Sequence, residues 1–243
     1  MAIMRLNRYL AQCGVSSRRG AEELMKNGQV SVNGVVITEM GFQVDTDNDR
    51  VFVGGKQVAP EEGRVYYLLN KPVGYITTAF DPFGRKKAID LVPKNPRVFS
   101  VGRLDHDTAG ALIFTNDGDL ANRLTHPRYE KEKEYLVDCR FKIADFRLKT
   151  IESLRDKFLE GVKLKEGLAK ADKVEIVKSG DNEVELKIVL HQGWNRQIRR
   201  MCEAVGLEVL RLKRVRIGQI TLGDLGEGEW RKLYTKEVEK LQR

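Results

Sequence analysis

The sequence predicts an α+β protein in two parts. Three observations carry this expectation. Residues 1–58 run helix, helix, strand in short succession. Residues 59–64, Ala-Pro-Glu-Glu-Gly-Arg, are polar and broken by Pro and Gly, as a linker is. Beyond them strand patterns outnumber helical ones and come in clusters. The division falls at residues 1–60 and 61–243, and a 41% hydrophobic content over 243 residues suffices for one small and one medium core.

In the first part, Leu6, Tyr9 and Leu10 share one helical face, and Gly14 is placed to stop the helix. Ser16 or Ser17 caps a second helix that turns Ala21, Leu24 and Met25 inward and ends at Gly28. Val30 to Ile37, with Asn33-Gly34 at its centre, reads as a hairpin. Val51–Val53 and Gln57-Val58, split by two glycines, read as further short strands. In the second part, Val65–Leu69 is a buried strand, after which Lys71–Thr78 turns and extends. Asp117–Thr125 is a helix with Leu120 and Leu124 inward, Glu134–Val137 a strand, and Ala144–Glu160 a long amphipathic helix. Val174–Val177 and Val184–Leu190 alternate as strands. Val209–Ile220 alternates apolar and basic residues, as a sheet with one wet, positive face does.

Composition narrows the function classes. No run approaches the ~18–20 apolar residues of a membrane helix, and the N-terminal residues alternate apolar and charged side chains, unlike a signal peptide. Cys13, Cys139 and Cys202 form no C-x-x-C pair. His106, His126 and His191 share no metal-ligand spacing. A disulfide frame and a metal site are therefore not expected, and a reducing cytoplasm fits. The net charge of +8 gathers in two clusters. One is Arg5, Arg8, Arg18, Arg19 and Lys26; the other is Arg196, Arg199, Arg200, Arg211, Lys213, Arg214 and Arg216. Two nucleic-acid surfaces and a solvated Lys/Glu-rich surface both fit this charge taken alone. No Walker-type or dinucleotide-binding glycine loop is present.

Two stretches concentrate chemistry. Gly102 to Gly110 packs Arg103, Asp105, His106, Asp107 and Thr108 between two glycines, directly before the apolar run that starts at Ala111. A polar loop feeding a buried strand holds its side chains fixed, as catalysis requires. Asp105 seen in isolation is most often a turn or capping residue. In Asn195 to Gly206, Ile198, Met201, Cys202 and Val205 form the inner stripe of a short helix. Arg196, Arg199, Arg200 and Glu203 form the outer stripe, and Asn195 is placed to cap the start. Arg196 and Arg200 taken singly fit an ordinary solvated helix face.

These segments resemble, in order, the signatures of the RsuA family of pseudouridine synthases. The carrying residues are Lys71-Pro72 with Gly74, Asp81-Pro82-x-Gly84-Arg85, Gly102 to Gly110, Thr115 to Gly118, and Lys133-Glu134-Tyr135. Gly193-x-Asn195 to Met201, Arg214 to Gly218 and Gly228 to Arg231 complete the set. The first part resembles the S-four RNA-binding module through Arg5-Leu6-Asn7, Ser16 to Arg19 and Gly28 to Gly34. The resemblance implies a long mixed, mostly antiparallel sheet flanked by helices, and isomerisation of a uridine in ribosomal RNA, most simply that of the large subunit. The same chemistry on small-subunit RNA, or a non-catalytic ribosome-assembly role, is the alternative. It implies a monomer that needs no cofactor.

The resemblance also assigns roles. Asp105 is the catalytic carboxylate, either attacking C1′ of the ribose or removing the C2′ proton, with Arg199 holding it charged. Tyr135 stacks on the uracil or takes its C5 proton, and Ile217 walls the other face. Arg103 fills the gap left by the flipped base. Lys71, Arg196, Arg200, Arg5, Arg8, Arg18, Arg19 and Lys26 contact RNA. Two departures stand out: Ala111 where a Leu is usual, and His191-Gln-Gly-Trp194 where Glu-Gly-Arg is common.

Overall fold

The computed structural model describes residues 3–61, 63–142 and 149–242. The chain divides into two compact units, Met1–Arg64 with Asn95–Arg97, and Val65–Lys94 with Val98–Arg243.

The first unit comprises β1 (Ile3–Arg5), α1 (Leu6–Gln12), α2 (Arg18–Lys26), β2 (Val30–Val32), β3 (Val35–Val36), β4 (Gln43–Asp45), β5 (Val51–Val53) and β6 (Lys56–Val58). Ser17, not Ser16, caps α2, its hydroxyl accepting from Gly20 N at 3.1 Å. Asn33 and Gly34 have φ of 51° and 85°, the paired left-handed conformation that a tight hairpin turn demands. The strands β3-β2-β5-β6 form one sheet and β1 pairs with β4. Leu6, Leu10, Met25, Val30, Val44 and Val51 fill the core between helices and strands.

The second unit comprises β7 (Tyr66–Lys71), β8 (Phe99–Val101), β9 (Ala109–Thr115), α3 (Gly118–Thr125), β10 (Lys133–Phe141), α4 (Lys149–Glu160), β11 (Val162–Leu164) and β12 (Gly167–Ala169). It continues with β13 (Lys173–Ser179), β14 (Glu183–Leu190), α5 (Gln197–Ala204), β15 (Leu207–Ile217), β16 (Ile220–Thr221), β17 (Trp230–Lys232) and α6 (Thr235–Gln242). Of the helix expected over 144–160, residues 144–148 lie outside the described residues. A nine-stranded sheet runs in the order β13-β14-β10-β15-β9-β7-β17, with β16 on β15 and β8 on β9. Its pairings are antiparallel except one, β15 with β9.

β9 explains why its sequence does not alternate. All seven of its residues are buried. Ala111 and Ile113 pack into one core layer with Leu120, Leu124 and Ile217, whereas Leu112 and Phe114 pack into another with Tyr67, Leu69 and Leu104. A strand covered on both faces reads as a continuous apolar run.

Two expectations are corrected here. Asn195 does not cap α5: Arg196 occupies that position with φ 48° and no side-chain cap, and the Gln197 side chain accepts from Trp194 N at 3.0 Å instead. Nor does β15 present a uniformly wet, positive face. Arg214 is buried at 3% exposure, and Arg216 is met by Glu134 and Glu132, each at 3.1 Å. Strand alternation read from sequence assigns every long cation to solvent, and internal partners overrode that assignment.

Candidate active site

The register of the sheet lines up one row of residues across five strands. Lys71 on β7 faces Gly110 on β9, Gly110 faces Arg214 on β15, Arg214 faces Tyr135 on β10, and Tyr135 faces Ile188 on β14. Lys133 and Ile217 are cross-strand partners beside this row, a register shift after Glu134 separating the two pairs. The Gly102–Gly110 loop enters the row from one end of β9. A cavity of ≈ 790 Å³ opens there, lined among others by Arg103, Asp105, Lys133, Tyr135, Arg214 and Ile217.

Gly110 makes the close crossing possible. Its φ is +110°, and a Cβ at this position would stand 2.1 Å from the Arg214 carbonyl oxygen. Only glycine lets β9 and β15 meet here. Ala111, the departure noted in sequence, is fully buried, and its carbonyl accepts from Arg214 Nε at 2.7 Å.

The loop carrying Asp105 is pinned from four directions. The Thr77 hydroxyl donates to Leu104 O at 2.7 Å and accepts from Leu104 N at 3.2 Å. Gly74 N donates to His106 O at 2.9 Å. Lys71 Nζ donates to Thr108 O at 2.8 Å and to Pro72 O at 2.9 Å. On the remaining side Arg196 makes a two-pronged pair with the Asp107 carboxylate at 2.9–3.0 Å. Arg199 adds contacts to the Asp107 carbonyl at 2.7 Å and carboxylate at 3.2 Å.

The two carboxylates of the loop thus have opposite surroundings. Burial pushes the Asp107 carboxyl up, but hydrogen bonds from Arg196 and the Arg199 and Arg196 charges outweigh it and hold it below its ordinary value. The half-buried Asp105 side chain, at the cavity wall, accepts no hydrogen bond and makes no ion pair within 4.0 Å among the described residues. The expectation that Arg199 pairs with Asp105 is corrected: its guanidinium sits on Asp107, and Arg199 is not part of the cavity wall. A signature spaced in sequence does not distinguish two aspartates one residue apart.

One other expectation is corrected. Lys71 is fully buried behind the loop, where it braces two carbonyls and is out of reach of RNA. Burial draws its ammonium down to about 8, with Asp107 and Asp105 acting in the opposite sense. Arg200 is engaged in a two-pronged pair with Glu166 at 2.7–3.1 Å. Arg103 is exposed at the cavity rim, and Tyr135 and Ile217 line the cavity as the sequence suggests. In the first unit Arg5, Arg18, Arg19 and Lys26 are exposed, Lys26 pairing with Glu23, and Arg8 is half-buried.

Two cavity cations, present in the sequence motifs, carried no assigned role there. Lys133 is drawn down to about 8 by burial and then by the Arg214 charge. Arg214 has a buried Nη2 with no hydrogen-bond partner, beside the same cavity as Asp105. Its signal was the place of a basic residue two positions after Leu212, on the buried side of a strand.

The model of the RNA pseudouridylate synthase family matches residues 65–204, and that of the S4 domain matches residues 4–51. The chain belongs to the RNA pseudouridylate synthase family. It is an isomerase of that class. It is 43% identical to ribosomal large subunit pseudouridine synthase B of Bacillus subtilis, over 98% of this chain and 95% of that one. It is 42% identical to an RNA pseudouridine synthase of Aquifex aeolicus, over 99% and 94%. A crystal structure of a pseudouridylate synthase superposes with a TM-score of 0.65 at 27% identity, covering 98% of this chain and 99% of that chain.

Proposed function

We propose that this protein converts a uridine of large-subunit (23S) ribosomal RNA to pseudouridine, with Asp105 as the carboxylate that acts on the ribose. One observation carries the assignment: of two aspartates on one braced loop, Asp107 is consumed by two arginines while Asp105 stands unpaired on the wall of the cavity. A carboxylate positioned by its neighbours yet free of partners is ready to engage substrate. A cavity of ≈ 790 Å³ has room for one flipped nucleotide.

The reaction is internally balanced. The bond from C1′ to N1 breaks, the uracil turns within the cavity, and C5 bonds to C1′. The C5 proton leaves to solvent and N1 takes one up, so no oxidant, reductant or cofactor is consumed. Asp105 assists at the sugar, by attack on C1′ or by removal of the C2′ proton. Tyr135 and Ile217, on neighbouring strands, supply an aromatic and an apolar face for the uracil. Arg103 occupies the gap in the RNA stack. The exposed cations of residues 1–60 dock phosphates, and residues 61–243 carry the chemistry. The large-subunit target is supported by the Bacillus subtilis relative, and this reading places a monomeric enzyme in the cytoplasm.

Release of tritium from 23S ribosomal RNA labelled at uracil C5 tests the reading. Wild type releases tritium, while Asp105→Asn releases none above background and still binds the RNA. An Asp105→Asn protein with wild-type release would overturn the assignment of the carboxylate. Absence of release by wild type from 23S RNA, with release from 16S RNA, would overturn the target.

A further inference from the structure

Phe80 and Phe83 are 78% and 80% exposed, the two most exposed large apolar side chains among the described residues. They stand on one stapled turn. Asp81 accepts from Arg85 N at 2.8 Å and from Arg85 Nε at 3.1 Å. The Thr78 hydroxyl donates to Phe80 O at 2.7 Å. The base of the turn is closed by Ile76 N on Lys86 O and Ala88 N on Ile76 O, both at 2.9 Å. An aromatic pair held out in water by a bonded turn is an apolar surface that folding left uncovered.

The turn grows directly from the brace of the Asp105 loop. Thr77, whose hydroxyl clamps both backbone groups of Leu104, lies three residues before Phe80. The chain between them reaches about 10 Å at most. Arg85 lies over the Phe83 ring at 5.3 Å, Lys86 lies over Tyr75 at 5.7 Å, and both cations are exposed. Aromatic faces interleaved with cations suit bases and phosphates together. A protein partner would have to strip water from Arg85 and Lys86 to reach the rings.

We infer that the Thr78–Lys87 turn is an RNA-stacking platform, on which Phe80 and Phe83 take unpaired bases flanking the target uridine. The inference rests on the function proposed above and adds a recognition element outside the cavity. Stacking contributes ~1–3 kcal/mol per base, so loss of one stacked base weakens binding about 5–150-fold.

The test uses the full-length protein and a 23S ribosomal RNA transcript. Phe80→Ala/Phe83→Ala raises KM for tritium release, and Kd in filter binding, at least fivefold, with kcat changed less than threefold. Phe80→Trp/Phe83→Trp restores both constants, whereas Phe80→Leu/Phe83→Leu, apolar but without a π face, does not. Unchanged KM and Kd in the alanine variant would overturn the inference, as would full restoration by leucine. Self-association of wild type in sedimentation velocity, lost in the alanine variant, would overturn it in favour of a second copy on this face. Should wild type release no tritium, the proposed reaction fails by itself, and Kd alone then decides the platform.

Discussion

Arg199 holds Asp107 twice, at its carbonyl by 2.7 Å and at its carboxylate by 3.2 Å, and so fixes the backbone two residues beyond Asp105. Helix α5 therefore acts on the Asp105 loop through Asp107. Asp107→Asn keeps the shape of the side chain but weakens the Arg199 and Arg196 contacts to the carboxylate, leaving the Arg199 bond to the Asp107 carbonyl. The expected outcome is a 10–100-fold fall in kcat with little change in Kd for RNA, consistent with the cost of a loosened catalytic geometry. Single-turnover tritium release beside filter binding reads this split.

The same pair sets an acid-stability signature. The folded Asp107 carboxyl titrates below its unfolded value. Its stabilisation is therefore complete above the ordinary carboxylate pKa of ~3.9 and is lost as pH falls through the folded value. Thermal melts between about pH 5 and pH 2.5 should show wild type losing more stability than Asp107→Asn over that window. Parallel curves would remove the linkage.

Lys71 and Lys133 give an alkaline signature with the same direction of slope, but here burial of a charge works against the fold below the window. Each titrates at about 8 in the fold against 10.5 when free. Between these values the unfolded chain binds more protons, so stability rises with pH across that interval. Urea midpoints measured at pH 7.5, 9 and 10 should climb in wild type, less in Lys71→Met, and least in Lys71→Met/Lys133→Met. Lys71→Met is also expected to be less stable throughout, because two loop carbonyls lose their donor.

Gly110→Ala places a methyl group 2.1 Å from the Arg214 carbonyl oxygen in a left-handed backbone. The substitution should cost more than about 3 kcal/mol and abolish activity together with the β9–β15 contact. A melting temperature within two degrees of wild type would contradict the close crossing.

Arg214→Lys removes the guanidinium nitrogen that stands buried and unpartnered beside the cavity. We expect kcat/KM to fall about 100-fold, or ~2.7 kcal/mol. The stability loss should be smaller, since only the bond to Ala111 is weakened. Equal losses in melting and in kcat/KM would make Arg214 a structural residue only.

The architecture was legible where periodicity is long or turn chemistry is specific. The inner stripe of α5, the Asn33-Gly34 hairpin and the buried run after Gly110 were all readable. Short strands such as Ile3–Arg5, Phe99–Val101 and Trp230–Lys232 were not, since three residues carry no period and exist only through their partners. At the site, motif order located Asp105, Tyr135 and Ile217 on the cavity. It misplaced Lys71 and Arg199, because sequence shows which residues are cationic but not which carboxylate or carbonyl each will meet. Arg214 was missed for the converse reason: a charge so thoroughly buried looks on paper like any surface cation.

The row from Lys71 through Gly110 to Arg214 also orders events in time. Its central contact joins residues 104 positions apart, the one parallel step in the sheet. Closing so long a loop is entropically slow, and no local pairing anticipates it. During synthesis, β7 and β9 can zip as neighbours as soon as both have emerged. The cavity floor must wait until Arg214 and Ile217 have left the ribosome. A nascent chain therefore carries Asp105 on a loop that leads into an already paired strand well before the cavity beside that loop exists.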